Sequence, residues 1–336
     1  MKAVGLEQFG DAAQIRIEEI PVPRPKEKEI LIKIHATAIN RADILQRGGS
    51  YAPPQGASTV MGLECVGEVA EIGSGATKFQ VGQRVMALLS GGGYAQYTTV
   101  DEGSAMEIPD HLSYQNAAAI PEVFLTAYLI SRQLGGLAKD DVVLIHAGAS
   151  GVGTALIQLC KLFGAHAIVT VGSESKAEFC KKLGAEHAIN YKTEANFSAS
   201  VKEFCSTLSP KRDGASLLLD PVGATHAKEN LESLGQDARW ILYGTMGGAN
   251  VDNFPIGQIL RKRIRLEGST LRARSLAFKA NLIENFRREC LDQFDPSKGS
   301  LKPIIEATFP LTHMRQAHEL MESNSTVGKI VITVEH

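Results

Sequence analysis

A glycine-rich segment near the middle of the chain joins a stretch typical of a buried strand to a stretch typical of a helix. Residues 141–146 form a short apolar run, and residues 151–163 repeat their apolar side chains at helical spacing. Between them stands a GxGxxG-like pattern with Gly148, Ser150 and Gly153 at its three small positions. Gly148 allows a tight turn, and Gly153 lets the helix pack closely on the strand. The segment predicts a βα turn whose backbone can approach a ligand.

The start of that predicted helix offers free backbone N–H groups and a partial positive charge, both of which suit a pyrophosphate. Because further strand-like and helix-like stretches follow, the segment favours a dinucleotide site. A tight βα turn without a ligand is the alternative. The cofactor contacts predicted for the turn are Gly148, Ser150, Gly151, Val152 and Gly153.

The end of the next predicted strand indicates which dinucleotide binds. NAD-binding folds of this type carry an acidic residue about 20 residues after the glycines, which binds the ribose 2′-hydroxyl. Here the stretch 167–171 is followed by Gly172 and Ser173, with no acidic residue at its tip. Ser173 can donate a hydrogen bond to a 2′-phosphate, Lys176 can supply positive charge, and Tyr191 ends the neighbouring strand. We therefore predict NADPH as the cofactor.

Two features of this stretch leave other interpretations open. Glu174 is an acidic residue close to the strand end and opposes the prediction of NADPH. Ser173 could serve only as the cap of the following helix, with Lys176 on its solvated face.

His146, which ends the strand before the glycine turn, is predicted to be a buried histidine held by backbone groups.

Composition limits the classes of protein to which the chain can belong. Its 336 residues suit two domains, and 35 Lys and Arg against 37 Asp and Glu give a net charge of −2, which disfavours nucleic acid as a partner. No apolar run reaches the ~18–20 residues that span a bilayer, and the N-terminus lacks a signal-peptide core. Five scattered cysteines are typical of reduced thiols in a cytoplasmic protein.

Two kinds of pattern divide the chain. The first part is rich in strand-like segments, of which residues 29–38 alternate polar and apolar side chains. Later, short apolar runs alternate with helical patterns, which predicts βαβ units and a parallel sheet, and residues 328–334 return to a strand. We predict an α/β protein with a β-rich domain over 1–122 and 305–336, and a doubly wound parallel-sheet domain over 123–304.

Several specific motifs together carry a resemblance that runs nearly end to end. They occupy residues 40–58, 61–69, 91–97, 117–128, 144–159, 189–192, 240–248 and 327–332. The sequence resembles the zinc-free quinone oxidoreductase branch of the medium-chain dehydrogenase/reductase superfamily. This resemblance implies a GroES-like catalytic domain, a Rossmann domain that binds NADPH, and a homodimer built through the Rossmann domains.

The same resemblance addresses metal binding, because zinc-dependent members of the superfamily hold a catalytic metal with Cys, His or Glu, and Cys. At the matching positions this chain has the segment 40–43 without a cysteine, Leu63 where the histidine would stand, and Glu122 where the second cysteine would stand. The carboxylates near these positions offer oxygen ligands, and they do not make a zinc site of three nitrogen or sulfur ligands. No metal is predicted.

Without a Lewis acid, the substrate must accept a hydride readily, as quinones do because reduction makes them aromatic. By resemblance, Asn40, Asp43 and Tyr51 line the substrate cleft. Asn40 would donate a hydrogen bond to a quinone oxygen, Tyr51 would donate its proton or stack on the ring, and Asp43 would orient its neighbours. The alternatives are a strand-end turn at Asn40, a helix cap at Asp43 and a rim position for Tyr51.

The resemblance also assigns residues of the later chain to the cofactor. These are Thr126, Gly244, Met246, Gly247, Ser269, Leu271 and Asn324. Lys329 is a further candidate, for which a surface lysine on a strand is the alternative.

The sequence thus predicts a cytoplasmic, zinc-independent NADPH:quinone oxidoreductase acting on quinones such as ortho-quinones. The first alternative is NADPH-dependent reduction of the C=C bond of an α,β-unsaturated carbonyl, with Tyr51 as the proton donor. An alternative of another class is an NADPH-binding protein with a regulatory, structural or RNA-binding role and weak turnover.

Overall fold

Alternating side chains in the N-terminal segment form β-strands, because one face of each strand can then be buried. The computed structural model describes residues 1–194 and 196–336. The strands of this segment are β1 (Lys2–Leu6), β2 (Ile15–Glu19), β3 (Glu29–Ala38), β4 (Glu64–Ile72), β5 (Arg84–Leu88), β6 (Tyr97–Asp101) and β7 (Ala105–Glu107). The longest, β3, covers the stretch whose alternation predicts it.

The middle of the chain forms a parallel sheet. Its strands are β8 (Val142–Ile145), β9 (His166–Val171), β10 (His187–Asn190), β11 (Ala215–Asp220), β12 (Leu234–Leu242) and β13 (Arg265–Gly268). Across the sheet they lie in the order β10-β9-β8-β11-β12-β13. This order reverses direction between β8 and β11, which is where doubly wound sheets bind their ligands. The predicted doubly wound parallel sheet is confirmed.

Helices connect the strands of both sheets. They are α1 (Arg41–Arg47), α2 (Tyr114–Ala118), α3 (Pro121–Tyr128), α4 (Gly151–Leu162), α5 (Glu174–Leu183), α6 (Phe197–Thr207), α7 (Ala227–Ser233), α8 (Gly257–Lys262), α9 (Leu276–Cys290) and α10 (Met314–Glu322). A π-helical segment, Leu129–Leu134, continues α3. Within the described residues, no helix combines the length and the apolar character needed to cross a bilayer.

The C-terminal strands return to the first sheet. They are β14 (Ile305–Pro310) and β15 (Lys329–Thr333), and the sheet runs β14-β15-β3-β4-β5-β7, with β6 paired to β3. β15 pairs antiparallel with β3 through Val331 and Ala38. β1 and β2 form a separate antiparallel pair. A strand from the end of the chain thus lies beside strands from its beginning.

Two compact units result. The first contains Met1–Leu125 and Leu271–His336, and the second contains Thr126–Thr270. The segment 271–304, which the sequence prediction gave to the parallel-sheet domain, packs in the first unit. The reason is local packing, because the ring of Phe286 on α9 lies 6.5 Å from that of Phe124.

Each unit has its own core. In the first, buried side chains of β3, β4, β5 and β15 pack with those of α10, and Ile32, Val85 and Ile330 are among them. In the second, all four residues of β8 are buried, as expected for a strand covered on both faces. Both sheets therefore anchor the loops and side chains at their ends.

Candidate active site

The glycine-rich turn lies between the end of β8 and the start of α4. Its Ser150 hydroxyl caps the helix, accepting a hydrogen bond from the Gly153 N–H at 3.0 Å. The Gly148 N–H donates to the Thr170 carbonyl oxygen on β9 at 3.0 Å, which ties the turn to the neighbouring strand. A Cβ on Gly148 would lie 2.5 Å from the Val169 Cβ, so only glycine fits there.

The remaining predicted contacts of the turn open α4. Gly151 and Val152 are its first two residues and are half-buried, so their N–H groups belong to the free first turn of the helix. A Cβ on Gly153 would overlap the Ala147 carbonyl oxygen. The turn has the tight geometry, and the helix has the unpaired N–H groups, that a pyrophosphate needs.

At the end of β9, Ser173 is the N-cap residue of α5. Its hydroxyl oxygen accepts from the Lys176 N–H at 3.4 Å and lies 3.1 Å from the Ser175 hydroxyl. This is the capping geometry that the sequence left open as the alternative for Ser173. Glu174 lies in the first turn of α5, as expected for an acidic residue at a helix N-terminus.

Tyr191 and Lys192 flank the backbone of Gly172. A Cβ on Gly172 would lie 3.0 Å from the Tyr191 hydroxyl and 3.5 Å from the Lys192 Cε. Both side chains are exposed. Sequence reasoning named Tyr191 but stopped at the end of its strand and missed the lysine that follows. A flexible cation therefore stands beside the strand end at which a ribose 2′-phosphate is predicted.

Further along the same edge of the sheet, two hydroxyl groups are buried without a partner in the described part of the chain. Tyr243 follows β12 and Ser269 follows β13, and the Ser269 N–H donates to the Leu242 carbonyl oxygen at 2.9 Å. Among the described residues, the Tyr243 Oη and the Ser269 Oγ are buried without a hydrogen bond. Buried polar atoms normally find partners, so these two suit the polar atoms of a ligand. Sequence reasoning named Ser269 but not Tyr243.

The other predicted contacts near these hydroxyls lie in the loop after β12. The Met246 N–H donates to the Pro221 carbonyl oxygen at 3.0 Å, and the Gly247 N–H donates to that of Val222 at 2.7 Å. Gly244 precedes them, and a Cβ there would lie 2.9 Å from the Pro221 oxygen. This loop is therefore fixed against the end of β11, while the Met246 side chain is exposed.

His146 is buried at the end of β8, but its partners are side chains, so the prediction of backbone partners was wrong. Its Nδ1 lies 2.8 Å from the Thr170 Oγ1, and its Nε2 lies 2.7 Å from the Asn230 Oδ1. Asn230 in turn donates to the Asp220 carboxylate at 3.0 Å. Burial lowers the pKa of His146 to about 4, so the ring is neutral and links β8, β9 and α7.

In the first unit, Asp43 organises the start of α1. Its Oδ2 accepts from the Asn40 N–H and from the Tyr94 hydroxyl, both at 2.8 Å, and its Oδ1 accepts from the Gly62 N–H at 3.2 Å. Burial raises the pKa of Asp43 to about 6, and these hydrogen bonds oppose the shift. Asp43 therefore both caps the helix and orients its neighbours.

A buried lysine bonds to the Asn40 side chain. The Lys329 Nζ donates to the Asn40 Oδ1 at 2.6 Å, to the Glu64 Oε1 at 2.8 Å and to the Ile39 carbonyl oxygen at 2.8 Å. The Asn40 Nδ2 donates to the same Glu64 oxygen at 2.8 Å. Lys329 is therefore not the surface residue that the sequence left open. Both the oxygen and the nitrogen of the Asn40 side-chain amide are therefore hydrogen-bonded.

Glu64 also links this cluster to α3. Its Oε2 accepts from the Glu122 N–H at 2.9 Å. Leu63, which stands at the predicted position of a zinc-binding histidine, is buried. Within the described residues, no group of three or more His, Cys, Asp or Glu side chains is placed to hold a metal. Lys329 is instead the cation that faces Glu64.

Tyr51 is positioned by an arginine that sequence reasoning missed. The Arg272 guanidinium lies 5.2 Å from the centre of the Tyr51 ring, and it donates to the Gln46 Oε1 at 2.6 Å and to the Ser90 carbonyl oxygen at 2.9 Å. The Lys279 Nζ donates to the Arg272 carbonyl oxygen at 2.8 Å. Arg272 and Lys279 both lie in the segment 271–304, which the sequence prediction placed in the parallel-sheet domain. For that reason the sequence did not connect them with Tyr51.

The remaining predicted cofactor contacts are Thr126, Leu271 and Asn324. Thr126 is half-buried on α3, and Leu271 is buried. Asn324 accepts a hydrogen bond from Arg41 at 2.6 Å and has a left-handed backbone with φ 54°. Their roles stay predictions.

Comparison with known proteins finds two families that match successive parts of the chain. The family described as alcohol dehydrogenase GroES-like domain matches residues 26–110, and the family described as zinc-binding dehydrogenase matches residues 151–288. Human quinone oxidoreductase is 25% identical over 335 residues, which cover 99% of this chain and 97% of that protein.

Solved structures extend the likeness to the whole chain. Escherichia coli quinone oxidoreductase complexed with NADPH has a TM-score of 0.84 and 25% identity, covering 99% of this chain and 100% of that one. An NAD-dependent alcohol dehydrogenase has a TM-score of 0.85 and 28% identity, with complete coverage of both chains. The fold and its sites define an oxidoreductase of the medium-chain dehydrogenase/reductase superfamily. Within that superfamily, its curated and structural relatives include quinone oxidoreductases.

Proposed function

We propose that the protein is an NADPH-dependent quinone oxidoreductase that works without zinc. The observation that carries the proposal is the buried ammonium group of Lys329, which bonds Asn40 and Glu64 beside the positions where zinc-dependent members hold their metal. The cluster has its own cation, and a leucine replaces the histidine ligand. This supports an acceptor that needs no Lewis acid, such as a quinone.

NADPH is the cofactor that the second unit fits. When bound, it supplies a hydride from its nicotinamide ring. The first turn of α4 would bind the pyrophosphate, and Lys192 with Tyr191 would bind the 2′-phosphate. The unpartnered hydroxyl groups of Tyr243 and Ser269 would bind polar atoms at the nicotinamide end.

The first unit would hold the quinone beside Tyr51. No group in residues 1–194 and 196–336 hydrogen-bonds to the Tyr51 hydroxyl, so it is available to a substrate oxygen. Arg272 fixes the ring from one side, which reduces the rotamer freedom lost on binding. Asn40 has its amide engaged by Lys329 and Glu64, so its contribution is to hold the wall of the site in place.

The same free hydroxyl favours a second candidate activity, the reduction of an α,β-unsaturated carbonyl. That reaction needs a proton at the α-carbon after hydride addition, and the Tyr51 hydroxyl is an unengaged donor. The two activities share the hydride donor and differ in where the proton goes.

The assembly proposed for the protein is a homodimer through the parallel-sheet unit. β13 is an edge strand, and Leu266 on it is exposed. Ile256, which precedes α8, and Leu260 within α8 are exposed as well. Exposed apolar side chains at an unpaired edge are a natural surface for a second copy. Sedimentation analysis of the purified protein measures the mass directly.

The test of the activity begins with binding. Purified protein is titrated with NADPH and with NADH while nicotinamide fluorescence is followed, and 1,2-naphthoquinone is then added. Tighter binding of NADPH and rapid oxidation support the proposal. Tight binding without turnover on quinones or enones would instead favour a binding protein, and failure to bind NADPH would overturn the proposal.

A further inference from the structure

Arg272 and Lys279 are two cationic side chains of the first unit whose charges the proposed function leaves without an anionic partner. They are 5% and 3% exposed, so both are almost completely removed from water. Arg272 precedes α9, and Lys279 lies on that helix. A buried charge is normally paired with an opposite charge, because the solvation that it has lost is otherwise not compensated.

The hydrogen-bond partners of Arg272 are all uncharged. Its Nε donates to the Ser90 carbonyl oxygen at 2.9 Å, and its two terminal nitrogens donate to the Tyr51 carbonyl oxygen at 3.3 Å and to the Gln46 Oε1 at 2.6 Å. A guanidinium group has five N–H groups, of which each terminal nitrogen carries two. One N–H on each terminal nitrogen therefore has no acceptor in the described part of the chain.

Lys279 is bonded in the same way. Its Nζ donates to the Ser90 Oγ at 2.6 Å and to the Arg272 carbonyl oxygen at 2.8 Å. The third N–H of the ammonium group has no acceptor within residues 1–194 and 196–336. The Ser90 hydroxyl itself donates to the Arg272 carbonyl oxygen at 3.1 Å. Both cations are thus held beside Ser90 by neutral groups and keep N–H groups to spare.

Among the described residues, no carboxylate forms an ion pair or a hydrogen bond with either cation. Asp43 and Glu122 influence Arg272 electrostatically, but neither contacts it in this way. The Asp43 carboxylate is already bonded to the Asn40 N–H and the Tyr94 hydroxyl. Two positive charges that lie together out of water without a counter-ion repel each other, so a bound anion would stabilise both.

The two cations lie beside the ring at which the acceptor is proposed to bind. The Arg272 guanidinium is 5.2 Å from the centre of the Tyr51 ring. Tyr51 is half-buried, so one part of its side chain remains open to a ligand. An anionic group that accepts the free guanidinium N–H groups would therefore lie next to the Tyr51 ring.

We propose that Arg272 and Lys279 form a subsite for an anionic substituent of the acceptor, such as a carboxylate or a sulfonate on a conjugated carbonyl compound. This deepens the proposed function, on which it rests, by naming the class of substrate. The oxygens of such a group offer enough lone pairs for the free N–H groups of both cations. Because Gln46 and Ser90 already hold the cations in place, little side-chain freedom is lost when the anion binds.

Equilibrium binding tests the subsite without any turnover. The two probes are naphthalene-2-sulfonate, which is an anion, and naphthalene-2-sulfonamide, its neutral counterpart. Each is titrated by calorimetry with saturating NADP⁺ present, so that phosphate-binding groups of the second unit are occupied. The sulfonate should bind at least roughly tenfold more tightly than the sulfonamide. Equal affinities in the unmodified protein overturn the proposal.

Substitutions separate this role from a purely structural one. Arg272→Gln and Lys279→Gln should each weaken binding of the sulfonate roughly tenfold and change binding of the sulfonamide less than about twofold. Arg272→Lys keeps the charge and should keep most of the preference for the sulfonate. Arg288→Gln, which removes an exposed cation from α9, is the matched control and should leave both Kd values unchanged.

An equal loss for both probes in the glutamine variants would show that the cations only hold loops together, and it overturns the proposal. If one variant fails to fold, the other variant and the comparison of the two probes in the unmodified protein still decide.

Turnover distinguishes failure of the subsite from failure of the proposed function. The KM for 1,2-naphthoquinone-4-sulfonate should be at least roughly tenfold below that for 1,2-naphthoquinone, and Lys279→Gln should raise only the first of these values. Equal KM values for the two quinones in the unmodified protein overturn the subsite. Failure to oxidise NADPH with either quinone overturns the proposed function instead, whereas a preference for the sulfonate probe that depends on Arg272 and Lys279 would still support the anion subsite.

Discussion

The Lys329 ammonium group lies 2.8 Å from the Glu64 Oε1, and the two side chains are 3% and 0% exposed. The pair joins β15 to β4 within the first unit. Because Asn40 bonds to both partners, the ion pair also fixes the amide at the start of α1. An ion pair removed from water in this way contributes to stability only while both charges are present.

Lys329→Met should therefore destabilise the first unit by about 3–5 kcal/mol, because it leaves the Glu64 carboxylate buried without its cation. The double variant Lys329→Met/Glu64→Gln should recover much of that loss, since no unpaired charge remains. Urea unfolding followed by circular dichroism measures both. Lys78→Met, at an exposed position of the same unit, is the control. A loss below about 1 kcal/mol for Lys329→Met would show that the pair is not important for stability.

Local patterns in the sequence predict most of the fold. The alternation over 29–38 becomes β3, and the short apolar runs of the middle chain become the strands of the parallel sheet. These predictions succeed because each depends on which face of one element is buried. The glycine turn is equally local, since its roles depend on a strand before it and a helix after it.

The candidate site is less predictable because its contacts join distant parts of the chain. Lys329 and Glu64 are separated by 265 residues, and Arg272 and Gln46 by 226. No periodicity links such positions. The sequence pattern of 271–304 fits a helix and a loop in either domain. Only the packing of α9 in the first unit brings Arg272 to Tyr51.

Lys192 should determine the preference for NADPH over NADH. Its Cε lies beside the backbone of Gly172, where the ribose phosphate is expected, so Lys192→Ala should weaken NADPH binding roughly tenfold, about 1.4 kcal/mol. Binding of NADH should change less than twofold, because it has no 2′-phosphate. Fluorescence titration with both nucleotides measures the difference.

The matched control for that prediction is Lys181→Ala, which removes an exposed cation from the last turn of α5. It changes the net charge equally but should leave the ratio of the two Kd values unchanged. Raising the salt concentration should reduce the effect of Lys192→Ala, since an exposed ion pair is screened. An equal loss for NADPH and NADH would contradict a contact with the 2′-phosphate.

Tyr51→Phe should distinguish the two candidate activities. Arg272 still holds the ring in this variant, so only the hydroxyl is lost. Reduction of an enone, which needs a proton at carbon, should fall at least tenfold further than reduction of 1,2-naphthoquinone. Tyr114→Phe is the control, because Arg84 lies over the Tyr114 ring at 4.8 Å in a comparable arrangement outside the cluster. Equal losses for both substrates would remove Tyr51 as the enone proton donor.

His146 should make the second unit less stable in acid. In the folded protein its pKa is about 4, because burial disfavours the charged ring, whereas in the unfolded chain it is about 6.5. Between these values the unfolded state binds a proton that the folded state does not, so stability falls as the pH decreases from 7 toward 4. At pH 5 the loss from this residue amounts to about 2 kcal/mol relative to pH 7.5.

The single tryptophan of the chain, Trp240, reports on this unit directly, because its Nε1 donates to the Asp220 carboxylate of the same network at 3.1 Å. Urea unfolding followed by its fluorescence at pH 7.5 and pH 5 measures the loss. His146→Gln retains a donor toward Asn230 but cannot titrate, so the difference between the two pH values should shrink by about 2 kcal/mol. His166→Gln, at a half-exposed position on β9, should leave that difference unchanged. If His146→Gln keeps the full acid sensitivity of the unmodified protein, another group in the second unit must be responsible for it.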